Sequence, residues 1–159
     1  MSWGVVILIG VIWSTIISHF GASILLHRYY CHKQLEVPKW FEAIGLFMLM
    51  IAVIRTPIGW IASHRMHHAY SDTEDDPHSP RHQGFMPVLT STFKVKAIKH
   101  RVIKDLLRNK RVMWYYRNHM VIRLCTAVGA FVLLSFPMFL VLFVSPMIYA
   151  YIGFGTINA

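Results

Sequence analysis

The chain has 159 residues, of which 55% are hydrophobic and only 14% charged, where an ordinary water-soluble domain has roughly a quarter of its residues charged. A mean hydropathy of +0.46 argues against a soluble globule and against a disordered segment, which needs low hydrophobicity. Sixteen Lys and Arg against seven Asp and Glu give a net charge of +9, which calls for an anionic partner, and the hydropathy favours a membrane surface over nucleic acid.

Residues 3–26, WGVVILIGVIWSTIISHFGASILL, carry no formal charge. About 20 apolar residues suffice to cross a bilayer core, so this stretch is a spanning candidate. No basic region precedes it, unlike a signal peptide, and the first cation is Arg28. Arg28, Lys33 and Lys39 follow it closely and place its C-terminal end in the cytoplasm. Cys31 and Cys125 are far apart and form no C-x-x-C, so neither a disulfide scaffold nor a zinc ribbon is expected. One compact unit, residues 1–159, is expected, without a linker or a repeat.

Residues 41–62 form a second apolar stretch, interrupted by Arg55, Thr56-Pro57 and Gly59. A central Arg is costly in lipid and Pro breaks the hydrogen-bond ladder, so hydropathy alone does not decide between a crossing and a re-entrant pair of short helices. Residues 63–120 hold 11 of the 16 Lys and Arg and belong in the cytoplasm. Within them, residues 92–117 place Val95, Ile98, Val102, Ile103 and Leu106 at helical spacing, which predicts one basic amphipathic helix. Residues 121–157 are apolar apart from Arg123. As one helix they would span about 55 Å, nearly twice a bilayer core, so two crossings joined at Ser135-Phe136-Pro137 are expected. The predicted architecture is an all-α integral membrane protein. It has about three spanning helices, a re-entrant or amphipathic segment and a cytoplasmic cap that bears histidines.

Ten histidines are an anomaly at this length. His64, His67 and His68, in HRMHH, sit at i, i+3 and i+4, on one face of a helix, where three imidazoles can converge on a metal. His27 and His32, in HRYYCH, are five apart, and five α-helical steps leave them 140° out of line. The helix is therefore expected to end by Tyr30, with His32 reaching back from a turn. If residues 41–62 crossed the bilayer once, the two groups would face opposite compartments. A re-entrant segment kinked near Arg55-Thr56-Pro57 keeps all five on one side, and is preferred. The H-x-x-x-H pair has Arg65 where a zinc protease needs Glu, which disfavours that chemistry. Nitrogen donors suit zinc, iron and copper alike, and five imidazoles exceed one tetrahedral ion.

HRYYCH after a hydrophobic helix, followed by GWIASHRMHHAYSDTEDDPHSPR, resembles the membrane fatty-acid desaturase family, and its delta-9 branch most closely. That branch has H-R-x-x-x-H, then H-R-x-H-H, then D-P-H, here Asp76-Pro77-His78. The resemblance implies two non-haem irons with mostly histidine ligands, O2 as oxidant, and a cis double bond introduced into an acyl chain held in a bent tunnel. It implies that His27, His32, His64, His67 and His68 are iron ligands and that Asn158 approaches one iron through water. Trp60 is carried over as a residue near the substrate tunnel, and Lys96 as one touching the acyl carrier. The substrate would be an acyl-CoA, an acyl-carrier protein or an acyl-lipid, and electrons would come from a separate ferredoxin or cytochrome. Membrane lipid is an expected partner and nucleic acid is not. The family's third box, H-x-x-H-H, is absent from the sequence, so on this reading the chain is an incomplete member, unable alone to hold both irons or turn over. A related di-iron hydroxylase or ketolase, or a histidine-rich membrane metal-binding protein without catalysis, are the alternatives.

Among the remaining residues, Asp72, Glu74, Asp75 and Asp76 read as a solvated turn or as groups orienting histidine rings, and His78 likewise. His19, inside the first helix, reads as a satisfied buried histidine.

Overall fold

A computed structural model describes residues 2–52, 56–90, 92–95 and 97–158, with side chains for all of these except 52, 151 and 153–158. The first apolar stretch forms one helical rod of 29 residues, Trp3–Cys31. Its first part, α1 (Trp3–Ile17), is α-helical, and its second, π1 (Ser18–Cys31), has the wider i→i+5 winding. The change of winding follows a cluster of side chains that compete for backbone carbonyls. Ser14 Oγ donates to Gly10 O at 2.6 Å, Thr15 Oγ1 to Val11 O at 2.8 Å and His19 Nδ1 to Thr15 O at 2.9 Å. Such back-bonding loosens the α ladder. His19 is exposed, so its expected burial is corrected, although its ring is hydrogen-bonded.

The rod crosses α2 (Lys39–Ala52) at two points where glycine lets the helices close up. A Cβ on Gly21 would stand 2.9 Å from Leu49, and a Cβ on Gly45 would stand 2.7 Å from Leu25. Each leucine thus lies on the other helix's glycine. The second apolar stretch is broken as expected: α3 (Pro57–Tyr70) begins with Pro at its first position, and Thr56 Oγ1 accepts the Gly59 N–H at 3.1 Å. Arg55 lies outside the described residues. Two short helices follow, α4 (Pro80–Gln83) and α5 (Phe85–Leu89), separated by Gly84 at φ 88°.

The single amphipathic helix expected over residues 92–117 is corrected. Residues 92–95 and 97–99 are not helical, α6 (His100–Arg108) is short, and a new helix, α7 (Lys110–Leu133), starts after Asn109. Asn109 causes the break. Its backbone is extended, and its Oδ1 accepts the N–H groups of Arg111 at 3.0 Å and Val112 at 3.2 Å. Asn is a strong N-cap and a mediocre interior helix residue. The turn expected at Ser135 is present, with Leu134 extended and Ser135 preceding α8 (Phe136–Phe139), a short π segment π2 (Leu140–Val144) and α9 (Ser145–Asn158). No strand occurs among the described residues.

The core lies between π1, α2, α3 and the α6–α7 junction, where Leu25, Leu26, Leu46, Leu49, Ile61, Leu106 and Val112 are no more than 2% exposed. Separately, α1 packs on π2 and α9 through small and polar groups. Ser14 Oγ and Ser145 Oγ are 3.0 Å apart, and Trp13 Nε1 donates to Leu142 O at 3.4 Å. Such hydrogen bonds between apolar helices are a usual glue where lipid surrounds them. An apolar groove of about 610 Å³ runs between these helices, lined among others by Val6, Gly10, Val141 and Ile148. Its wall on the rod, Trp3 to Ser14, lies 13 or more residues before His27. Among the described residues only Trp3–Cys31 is both long and apolar enough to cross a membrane; three such spans are not seen. Phe136–Ala150 is apolar but shorter, and α7 carries Lys110, Arg111 and Arg117 in its first half and Arg123 in its second.

One buried carboxylate ties the two ends of the core together. Glu42 of α2 is 4% exposed. It accepts from Tyr30 Oη of π1 and from Asn109 Nδ2 at 3.1 Å, and it pairs with the Arg111 guanidinium of α7. Removing one partner of such a pair strands a buried charge. Arg111→Ala is expected to destabilise the protein by about 3 kcal/mol, while the double variant Glu42→Gln/Arg111→Met recovers most of that loss. Thermal unfolding of the detergent-solubilised variants measures both.

Candidate metal centre

The π winding of Ser18–Cys31 brings His27 and His32 together. With i→i+5 bonds, a residue stands almost above the one five positions before it, so the mismatch expected for an α-helix disappears. The helix also runs to Cys31, one residue past the expected end at Tyr30, and His32 caps it, its N–H donating to His27 O at 3.0 Å. Lys33 then adopts φ 53°, and the Gln34 N–H donates to Arg28 O at 2.9 Å, closing the helix with a left-handed residue. The two ring Nε2 atoms are 3.1 Å apart.

On α3, His64 and His68 are one turn apart and their Nε2 atoms are also 3.1 Å apart. The two pairs face each other. Ring centroids lie 4.8 Å apart for His27 and His64, and 4.6 Å for His32 and His68. One donor atom from each of the four imidazoles falls within 4.8 Å of all the others. The expectation that the two sequence clusters share one space is met by His27, His32, His64 and His68.

The donor set fits a metal of the nitrogen-loving kind. Neighbouring corners of a tetrahedral site with nitrogen ligands at 2.0–2.1 Å are about 3.3 Å apart, close to the 3.1 Å seen within each pair. Burial, and then the imidazoles of His27, His68, His78 and His32, push His64 down to about 3, and burial with His32 and His67 lowers His68. These rings are therefore neutral near pH 7, with lone pairs available for coordination. His64 Nδ1 is buried with no hydrogen-bond partner among the described residues. That ring is held by packing instead, since the Trp60 indole stacks on it at 4.9 Å between centroids and 14° between planes.

His67 stands beside the four but is turned to a different partner. Its Nδ1 lies 2.9 Å and 3.0 Å from the two Asp76 carboxylate oxygens. Asp76 is fully buried and also accepts the backbone N–H groups of Asp72 at 3.0 Å and His78 at 2.8 Å. Burial raises its carboxyl, but these hydrogen bonds outweigh burial and hold it below the usual carboxylate range. A carboxylate there fixes the His67 tautomer, with hydrogen on Nδ1 and the lone pair on Nε2. The His78 ring lies 5.3 Å from His67 and 6.3 Å from His64 between centroids. Of the other acids in this turn, Asp75 pairs instead with Lys99, at 3.4 Å.

Arg65, which the sequence marks only as the wrong residue for a protease, joins the two histidine elements from behind. Its guanidinium forms a fork on Asp105 of α6, with Nη1 and Nη2 at 2.7 and 2.8 Å from the two oxygens. Nη1 also donates to Val102 O at 2.6 Å, and Nη2 to Tyr30 O at 2.5 Å. The fork holds the Asp105 carboxyl down at about 2, helped by Lys33 at 3.5 Å. Asn158 ends α9, with its side chain outside the described residues, and Lys96 lies outside them altogether.

The sequence matches the Fatty acid desaturase family over residues 1–159. It is 34% identical to Delta-9 acyl-lipid desaturase 2 of Arabidopsis thaliana over 64% of this chain and 33% of that protein. It is 32% identical to Delta-9 acyl-lipid desaturase 1 of the same plant over 61% and 32% of the two chains. With the Acyl-CoA C20 Delta5-desaturase of Anemone leveillei it shares 38% identity over 38% of this chain and 20% of that protein. The matched stretches thus span about a third or less of these relatives. No solved structure matches the chain.

Two substitutions separate donors from scaffold. His64→Ala is expected to abolish tight Co(II) binding by the detergent-solubilised protein. Arg65→Lys keeps the charge and all four imidazoles but loses the planar fork, and is expected to weaken Co(II) binding about tenfold. Titration of the visible Co(II) absorption bands measures both.

Proposed function

Because this chain belongs to the fatty acid desaturase family, we propose that His27, His32, His64, His67 and His68 hold non-haem iron in an integral-membrane acyl desaturase. The observation that carries the reading is the meeting of four imidazoles, two from the end of an apolar rod and two from α3, within one 4.8 Å space. Iron bound there would supply the oxidising power to remove two hydrogens from adjacent saturated carbons, with O2 as oxidant and a cis double bond as product.

The chain's own residues bind and orient. His27, His32, His64 and His68 present nitrogen lone pairs toward one another. His67, fixed by Asp76 through Nδ1, would offer Nε2 to a second iron, and Asn158 would approach one iron through water. Trp60 locks the His64 ring by stacking and, beside the centre, lies against the acyl chain. Lys96 meets the acyl carrier. The substrate is an acyl-lipid, by similarity to relatives bearing that name, with acyl-CoA and acyl-carrier protein as the other carriers. Two electrons come from a separate ferredoxin or cytochrome.

The membrane arrangement belongs to the same reading. The rod Trp3–Cys31 crosses the bilayer, α7 and α9 supply two further crossings, and residues 1–159 form one domain. The cations Arg28, Lys33 and Lys39 at the histidine end of the rod place the metal centre at the cytoplasmic face.

Expression of the gene in a host lacking desaturases tests the reaction. A new cis alkene is expected, where an alcohol, a ketone or no product counts against the proposal. His64→Ala is expected to reduce the alkene to background. Asp76→Asn, which changes no ligand, should lower it about 10–100-fold, and iron content measured on the purified variants should fall in parallel.

A further inference from the structure

The α6–α7 junction gathers cations that nothing else in the structure uses. Arg108, Lys110 and Arg117 line one cleft of about 360 Å³, together with Leu107, Trp114 and Asn118. All three cations are exposed, and none forms an ion pair among the described residues. Two carboxylates near this corner are committed elsewhere, and Glu36 lines a neighbouring cleft with Leu106 and Asn109. Asp105 is held by Arg65 and Lys33, and Glu42 by Arg111. Three like charges around one concavity repel one another, and an anion seated between them reverses the sign of that energy.

The surroundings of the cleft specify the anion's carrier. Trp114 is 56% exposed at the rim, an amphipathic ring of the kind that settles at a membrane–water boundary. Below it on α7, Met120, Leu124, Val128 and Phe131 are exposed, at steps of three and four residues. This apolar stripe continues downward from Arg117. From Met120 to Phe131 it extends about 16 Å, close to half of a roughly 30 Å hydrocarbon core. A charged head above and a leaflet-length apolar track below is the complement of a phospholipid.

We propose that the Arg108–Lys110–Arg117 cleft binds the phosphate headgroup of an anionic glycerophospholipid, whose acyl chains lie along Met120, Leu124 and Val128. The site is separate from the histidine centre, and it rests on the membrane reading above. The lipid would fix the depth at which the α6–α7 junction sits, and with it the clamp between Asp105 and Arg65.

The test uses the full protein in bilayers containing brominated phosphatidylglycerol or brominated phosphatidylcholine, with the Trp114 signal isolated as the difference from Trp114→Phe. Quenching of Trp114 is expected to show about a hundredfold preference for the anionic lipid, since each of the three cations near a surface contributes about fivefold. The triple variant Arg108→Gln/Lys110→Gln/Arg117→Gln should lose the preference. The variant Lys94→Gln/Arg101→Gln/Lys104→Gln, equal in net charge, and the charge-preserving Arg108→Lys/Arg117→Lys should keep it, with circular dichroism confirming that all remain folded. Equal quenching by both lipids, or a preference that survives the triple variant, overturns the site alone. Loss of the preference on adding inorganic phosphate identifies a free-phosphate site and overturns the lipid assignment. No quenching by either lipid overturns the membrane reading as well.

Discussion

The whole arrangement turns on the winding of residues Ser18–Cys31. Five residues separate His27 from His32, and only an i→i+5 helix puts their rings on one side. Tyr30 stands in the last turn, where a helix leaves its carbonyls unpaired, and its carbonyl accepts from Arg65, so the element that aligns the first pair of imidazoles is fastened to the element that carries the second. Long π segments are uncommon because their packing is loose along the axis. Here the looseness begins at Ser14 and Thr15, whose hydroxyls occupy carbonyls of the preceding turn, and it is contained by Leu49 and Leu25 pressing on Gly21 and Gly45.

Around that centre, acids and bases are distributed with little surplus. Asp76 serves His67, Asp105 serves Arg65, and Glu42 serves Arg111. Each lies behind a histidine-bearing element or at the junction that supports one, and none points a carboxylate into the space shared by the four imidazoles. The space is therefore lined by imidazole nitrogen donors, while its supports are charged and bridged.

Much of this was legible in the sequence where a local rule applied. The spacing of HRMHH gave one helical face, Thr56-Pro57 gave a helix start, and Ser135 gave a turn. That His27 and His32 share one side with His64, His67 and His68 requires a broken second stretch, which Thr56 and Pro57 supply. Legibility ended where the rule was non-local or where two local rules competed. The 140° mismatch holds for an α-helix, and the helix does end between the two histidines, at Cys31, one residue beyond Tyr30; the change of winding was signalled only by the Ser14-Thr15 pair. The amphipathic pattern over residues 92–117 was real at Val102, Ile103 and Leu106, but Asn109 preferred to cap. Arg65 with Asp105 and Glu42 with Arg111 join positions tens of residues apart and leave no periodic trace. Asp105 did offer one sign: it is the only acid in the run KHRVIKDLLRNKR.

The Glu42–Arg111 pair has a consequence for how the chain is made. Arg111 leaves the ribosome about 70 residues after Glu42, which at cellular elongation rates is a delay of roughly 3–14 s. During that interval α2 carries a carboxylate that only water or a proton can neutralise, at a place the finished protein keeps dry. Seating of α2 against the rod therefore waits for the polar segment to be translated, and the histidine elements assemble late, after both of their charged supports exist.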